Sequence, residues 1–247
     1  NGNLVYVSGN SILGDNSGIE AKPLDNGKIS KYGLKQANTY SIYQSFTNST
    51  EFLDLGDARI TVPLWLAAYR SPLCYFRPFP GIIKLVGQTG TFKSSIAAKV
   101  MSHFGSFNDN KDHVLKWNHT TTALQIELHH LRDTLVIIDD FNPEASKTTR
   151  DLMMNNLSIV LGDSSDGASK ARATAELKLS TTFINRCVVV STAEIIPNLP
   201  ESRLARMMVI DMNRVRSIDK EKLYAYNPKP NTVIMADYIE WIRKQDK

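Results

Sequence analysis

The sequence predicts an α/β fold, a parallel sheet flanked by helices, with a small β-rich N-terminal appendage. Three observations carry this. Short, continuously apolar runs ("IIKLVG", "TLVIIDDF", "NRCVVVST", "RMMVIDM") recur along most of the chain, and a strand without polar alternation is buried on both faces. Helical patterns separate these runs, as a parallel sheet covered on both faces requires. The first 55 residues have another texture, with Gly, Asn, Asp and Ser interrupting short β-prone runs such as "LVYVSGNSILGDNSGIE" and "NTYSIYQSF".

Taken in order, residues 1–55 are expected as the β-rich appendage, 56–215 as the core and 216–247 as a partial C-terminal lid or extension. Ala58 to Arg70 reads as an apolar-faced helix in which Pro63 must fall in the first turn or produce a kink. "IIKLVG" is followed by a helix over about 93–103. "HVLKW" precedes the helical "TTALQIELHHL", and "TLVIIDDF" precedes "ASKTTRDLMMNNLSIVL". The last two apolar runs complete the sheet.

Bulk properties set the limits. The chain has 247 residues, 42% apolar and 22% charged, which is ordinary globular composition. A net charge of +4 permits a polyanionic partner without arguing for one. Cys74 and Cys187 are too few for a disulfide framework and lack metal-ligand spacing, which favours a reducing, cytoplasmic setting. No apolar run approaches the roughly 20 residues of a membrane span. Both termini read as cut, so a longer parent protein is expected.

Residues 87–94, "GQTGTFKS", nearly spell a phosphate-binding loop, G-x-x-x-x-G-K-[ST]. Such a loop needs a strand before it, backbone N–H groups converging on phosphate, and a helix N-terminus behind. All three are expected here, with Gly87, Gln88, Thr89, Gly90, Thr91, Phe92, Lys93, Ser94 and Ser95 as the nucleotide-binding segment. Lys93 would neutralise β/γ-phosphate oxygens, and the Ser94 hydroxyl would ligate Mg²⁺. Phe92 stands where glycine usually does. It is expected to fit only with helical backbone angles and its ring turned away from the nucleotide.

"LVIIDDF" ends a buried strand in two carboxylates, at the place where an open α/β sheet presents its chemistry. Asp139 is expected in the Mg²⁺ shell beside Ser94. Asp140 is expected to orient or deprotonate the attacking water. The two motifs occur in the right order with a strand–helix unit between them, which makes a nucleotide with Mg²⁺ the expected ligand. Ser191 and Thr192 end the next core strand, where a hydroxyl could sense the γ-phosphate or, equally, cap a turn. Arg203 and Arg206 precede the last strand, where an arginine could stabilise charge on a transferring phosphoryl group.

Together "VPLWLAAYRSPL", "GQTGTFKSSIAAKVMSHFG", "KWNHTTTALQIELHHLRDTLVIIDDFNP", "VVVSTAEIIP" and "SRLARMMVIDM" resemble the ATPase domain of primase–helicase and replication proteins of phages, plasmids and integrative mobile elements. These are AAA+-like P-loop ATPases, and the resemblance covers roughly residues 58–212. It reaches more weakly to "LVYVSGNSILG". An aromatic or apolar residue before the loop lysine recurs in that group, so Phe92 departs from the general motif but not from this one. The resemblance implies a parallel sheet of about five strands, a hexameric ring, and ATP bound between subunits. Arg206, or Arg203, would then act on a neighbour's nucleotide, and a primase–polymerase domain would belong to the same full-length chain. It also implies that residues 162–183, "GDSSDGASKARATAELKLSTTF", line a central channel. Lys170, Arg172 and Lys178 would contact phosphates of single-stranded or forked DNA without reading sequence; a solvated surface hairpin explains the same residues as well.

Trp117 reads as core. His103, His113, His119, His129 and His130 have no metal or triad spacing. The expected function is an ATP-driven helicase or translocase motor. The alternative is a nucleotide-gated assembly or loader module with little turnover. A small-molecule kinase or GTPase is disfavoured because neither a base-specificity motif nor an acceptor-binding lid is visible.

Overall fold

The computed structural model describes residues 4–9, 11–14, 18, 29–35, 40–107, 110–112, 115–141, 146–166, 183, 185–213 and 218–245. In chain order the elements are β1 (Tyr6–Ser8), β2 (Ser11–Leu13), α1 (Ile42–Glu51), α2 (Ala58–Arg70), β3 (Ile82–Val86) and α3 (Lys93–Met101). Then come β4 (Leu115–Lys116), α4 (Thr121–His130), β5 (Leu135–Phe141), α5 (Lys147–Asp166) and β6 (Val188–Ala193). The single turn α6 (Glu201–Leu204), β7 (Met207–Asp211), α7 (Lys220–Ala225) and α8 (Asn231–Gln245) complete the chain. Two compact units form. One comprises Asn1–Trp65, Ser94–Val114 and Ile218–Lys247, the other Leu66–Lys93 and Leu115–Ser217.

The second unit is the expected sheet. Five strands lie in the order β4-β5-β6-β3-β7, every pair parallel. All residues of β3 and β6 are buried, which explains their mostly apolar sequence; Lys84, Ser191 and Thr192 are the polar residues within them. The edge strand β7 exposes Met208 and Val209. Because β3 lies between β6 and β7, the chain leaves it in one direction and returns on its other side. Loops at the carboxyl ends of strands at such a switch point form a crevice. Gly81 starts β3 with no room for a side chain, since a Cβ there would lie 2.1 Å from the Arg206 carbonyl oxygen. That carbonyl accepts the Ile82 N–H at 3.0 Å.

The first unit holds the two-stranded antiparallel sheet of β1 and β2 and the packed pair α1 and α8. "NTYSIYQSF", expected as a β-prone run, is instead helical from Ile42 onward. Ser41 caps α1: its hydroxyl accepts the Gln44 N–H at 3.1 Å, and the Gln44 side chain accepts the Ser41 N–H at 3.2 Å. This reciprocal box satisfies two otherwise orphaned donors and outweighs the β preference of the flanking residues. Beneath it His103 is fully buried, with its pKa pushed down to about 4 by burial. The neutral ring donates from Nδ1 to the Val100 carbonyl and accepts from the Ser49 hydroxyl, both at 2.8 Å, and Trp65 donates to Ser49 at 3.0 Å. His103 is thus a satisfied core residue. Among the described residues no helix is long and apolar enough to cross a membrane.

Candidate functional site

The segment after β3 folds as a tight loop held at both ends. Gly87 N–H donates to Ala193 O at 3.2 Å, and Gln88 N–H donates to Asn213 Oδ1 at 2.9 Å. Asn213 is itself fixed by Asp211, whose carboxylate accepts its backbone and side-chain N–H groups at 3.0 and 3.2 Å. Thr91 closes the turn on Gln88 O, with its hydroxyl at 2.8 Å. A Cβ on Gly87 would meet Thr91 Oγ1 at 2.8 Å and Met212 Cβ at 3.2 Å, so that glycine is sterically required. Thr89 donates its hydroxyl to Glu194, just past the end of β6.

Lys93 folds back into this loop. Its Nζ donates to the carbonyl oxygens of Gly87 at 2.7 Å and Gln88 at 2.8 Å, with Thr91 Oγ1 at 3.5 Å. Partial burial draws its pKa down, while the carboxylates of Glu194 and Asp139 push it back up. The ammonium therefore bonds neutral oxygens within the field of two carboxylates.

Phe92 has φ 61, the left-handed region, and not the right-handed helical angles expected for it. The turn keeps the conformation a glycine would supply and imposes it on a benzyl side chain. Gly90 is also left-handed, with φ 88. For a non-glycine residue this conformation costs about 1–2 kcal/mol, whereas glycine brings about 0.5–1 kcal/mol of extra chain entropy to be lost. Phe92→Gly is accordingly expected to leave stability within about 1 kcal/mol of wild type. Gly90→Ala, which adds strain with no compensating contact, is expected to lose about 1–2 kcal/mol. Urea denaturation of both variants checks this pair.

Opposite the loop, β5 carries a bulge. Ile138 pairs with Ser191 and Phe141 with Ala193, so Asp139 and Asp140 together face Thr192 alone. Bulges re-aim side chains, and this one sets two adjacent acidic residues against Thr192, one before the last residue of β6. Thr192 fastens it. Its hydroxyl donates to Asp139 Oδ1 and accepts the Asp140 N–H at 3.2 Å. Asp139 is half-buried; Asp140 is exposed, with φ 65.

Residues 87–93, Asp139, Asp140 and Thr192 therefore fall in one unit, around the carboxyl ends of β3, β5 and β6. Ser94 and Ser95 follow in α3, in the other unit. Ser191 takes neither of the places expected for it: it is fully buried and accepts bonds from Trp117 Nε1 and Lys84 Nζ. Arg203 is half-buried, with Nη1 lacking a hydrogen-bond partner among the described residues and lying 3.1 Å from where a Gly162 Cβ would be. Arg206 serves β3 through its carbonyl. Lys170, Arg172 and Lys178 lie outside the described residues. Two participants escaped the sequence reading. Glu194 directly follows β6, an acidic residue at a strand end, a signal that was available, whereas nothing in the motif points to Asn213.

No protein-family model matches the chain, and no curated protein matches it. Solved structures do. Cch of SCCmec type IV, described as an active helicase, is 18% identical with a TM-score of 0.49, over 83% of this chain and 36% of its own length. The JCV helicase is 18% identical with a TM-score of 0.43, over 81% of this chain and 53% of its own. The C-terminal region of NrS-1 is 15% identical with a TM-score of 0.43, over 84% and 47%. This chain thus spans from 36% to 53% of the length of these structures, and the likeness is one of chain path from which no residue role is transferred.

Proposed function

We propose that this chain binds and hydrolyses Mg-ATP as the motor domain of a ring-forming DNA helicase or translocase, acting in replication of a mobile element. The observation that carries the reading is Lys93, drawn into the loop of residues 87–92 and facing the carboxylate that Thr192 holds at the β5 bulge. The sequence resemblance, with residues 56–215 as the ATPase core, supports the motor assignment.

On this reading Lys93 leaves the carbonyls of Gly87 and Gln88 for the β/γ-phosphate oxygens, and the amides at the start of α3 add their dipole. Among the described residues no group of three or more His, Cys, Asp or Glu could hold a metal ion alone. Mg²⁺ in nucleotide sites takes one or two protein ligands and completes its shell with phosphate oxygens and water. A carboxylate at Asp139 and a hydroxyl at Ser94, next in the chain to Lys93, are donors of that kind. Bound there, Mg²⁺ would neutralise charge developing on the phosphates. Asp140, exposed beside it, orients or deprotonates the attacking water. Thr192 holds the Asp139 carboxylate and the Asp140 backbone N–H in place. Arg206, or Arg203, would reach the nucleotide of a neighbouring subunit, and Lys170, Arg172 and Lys178 would grip DNA phosphates.

The test is ATPase activity of the whole chain, with and without single-stranded DNA, alongside its oligomer size. Turnover that rises with single-stranded DNA is expected. Tight ATP binding with negligible turnover points to the assembly-module alternative, and absence of nucleotide binding overturns the proposal.

A further inference from the structure

Lys84 is the middle residue of β3, the strand that runs into the phosphate loop, and it is fully buried. Lysines almost never reach that state without a carboxylate partner. Here Nζ instead donates to Ser191 Oγ at 3.2 Å and lies over two rings, 4.3 Å from the Phe141 centroid and 5.7 Å from that of Trp117. Trp117 Nε1 donates to the same Ser191 Oγ at 2.9 Å, and the Trp117 and Phe141 rings meet edge to face at 6.0 Å. Burial draws the Lys84 pKa down to about 7. So costly a group in a central strand calls for a reason.

The register supplies one. Lys84 stands opposite Ser191, and Ser191 opposite Ile138. Residues paired this way share a face of the sheet, and the face alternates residue by residue. Without the bulge, Asp140 would come to the Lys84 face and Phe141 to the other. With it, Phe141 pairs with Ala193 and brings its ring to Lys84, while Asp139 and Asp140 share Thr192 at the strand ends. A left-handed residue such as Asp140 persists only where its surroundings over-determine it. Lys84 touches Phe141, the residue directly after the bulge, and Ser191, the residue directly before Thr192.

We propose that Lys84 is the positioning residue of this site, holding the β5 bulge in register through Phe141 on one strand and Ser191 on another, and so setting where Asp139 and Asp140 point. Its consequence for turnover rests on the ATPase reading; its consequence for the bulge does not.

Lys84→Met keeps the length of the side chain and removes the ammonium. Three results are expected together. Thermal stability is unchanged or higher, because a buried amine with no carboxylate partner among the described residues has been replaced by an apolar group. Amide exchange at Asp140 and Phe141 quickens about tenfold or more as the bulge loosens. The KM for ATP stays within about threefold while kcat falls about 10–100-fold, the scale on which supporting contacts act. Adding Ser191→Ala to that variant changes kcat little further, since both act through one contact.

Unchanged exchange and unchanged kcat overturn the proposal, whatever the stability does, and leave Lys84 as a core residue only. If the wild-type chain turns over no ATP, the ATPase reading fails and exchange alone decides: faster exchange in Lys84→Met upholds the positioning role, and wild-type exchange sinks it. Should Lys84→Met not fold, Phe141→Leu removes the ring while keeping an apolar core. The same faster exchange and lower kcat are then expected, and wild-type values for both reject the proposal.

Discussion

Lys93→Ala is expected to abolish measurable nucleotide binding while leaving the fold intact. The ammonium bonds two carbonyl oxygens of the loop, those of Gly87 and Gln88. Gln88 is exposed, so water can replace the ammonium at that carbonyl, and the loss in stability is limited to about 1–2 kcal/mol. A phosphate has no such substitute. Removing the cation from a site that also contains the carboxylates of Asp139 and Glu194 leaves a triphosphate facing uncompensated negative charge. Truncating one member of a desolvated charge pair costs about 2–5 kcal/mol, a weakening of roughly thirtyfold to several thousandfold. The measurement is the shift in melting temperature with added ATP and Mg²⁺. Wild type is stabilised by mass action as ligand exceeds its Kd, whereas Lys93→Ala, with an unliganded midpoint lowered by a few degrees at most, shows no shift on adding ligand. A full shift in the variant would remove the loop from the nucleotide site. Lys93→Arg is not a rescue, because a planar guanidinium cannot converge on two carbonyl oxygens as a compact ammonium does.

How much of this was legible in the sequence varies residue by residue, and for physical reasons. The sheet was legible because strands buried on both faces have no room for polar alternation, and "IIKLV" and "VVV" advertise that burial directly. The turn after β3 and the acidic pair in β5 were legible as a candidate site because the phosphate-loop pattern restricts residue types. The bulge was not. "LVIIDDF" contains two carboxylates in a row, and composition says nothing about which faces the strand end until the pairing partner is known. Ser191 and Thr192 show the same limit more simply. Adjacent strand residues point to opposite faces, so only one hydroxyl could reach the site, and the sheet register chose Thr192. The segment "NTYSIYQSF" went wrong for a local reason, since Ser41 and Gln44 form a capping box that strand-like composition hides. Phe92 was misjudged because the left-handed angle belongs to the turn and not to the residue that occupies it. Glu194 and Asn213 required the fold itself, because each reaches the loop from the end of a different strand.

Asp140→Asn is expected to keep ATP binding within a few-fold and to lower kcat by about 10²–10⁴-fold, the contribution of a positioned general base. The substitution is unusually clean at this position. Asparagine is among the few residues that tolerate a left-handed backbone, so the φ of 65 adopted by Asp140 is no obstacle. The contact that fixes the residue, its N–H to Thr192 Oγ1 at 3.2 Å, is made by the backbone and survives the change. The carboxylate itself is exposed, so an amide of equal size leaves no buried charge behind. Asp139→Asn should behave differently. Its carboxylate accepts the Thr192 hydroxyl, and losing that charge should raise the Mg²⁺ concentration needed for turnover as well as lower kcat. Glu194→Gln provides the control, because Glu194 is the other carboxylate at these strand ends and is engaged with Thr89. Normal hydrolysis by Asp140→Asn, with the loss appearing in Glu194→Gln instead, would move the base from β5 to the end of β6. Loss in Asp140→Asn alone, at unchanged ATP affinity, assigns it to the residue that the bulge turns outward.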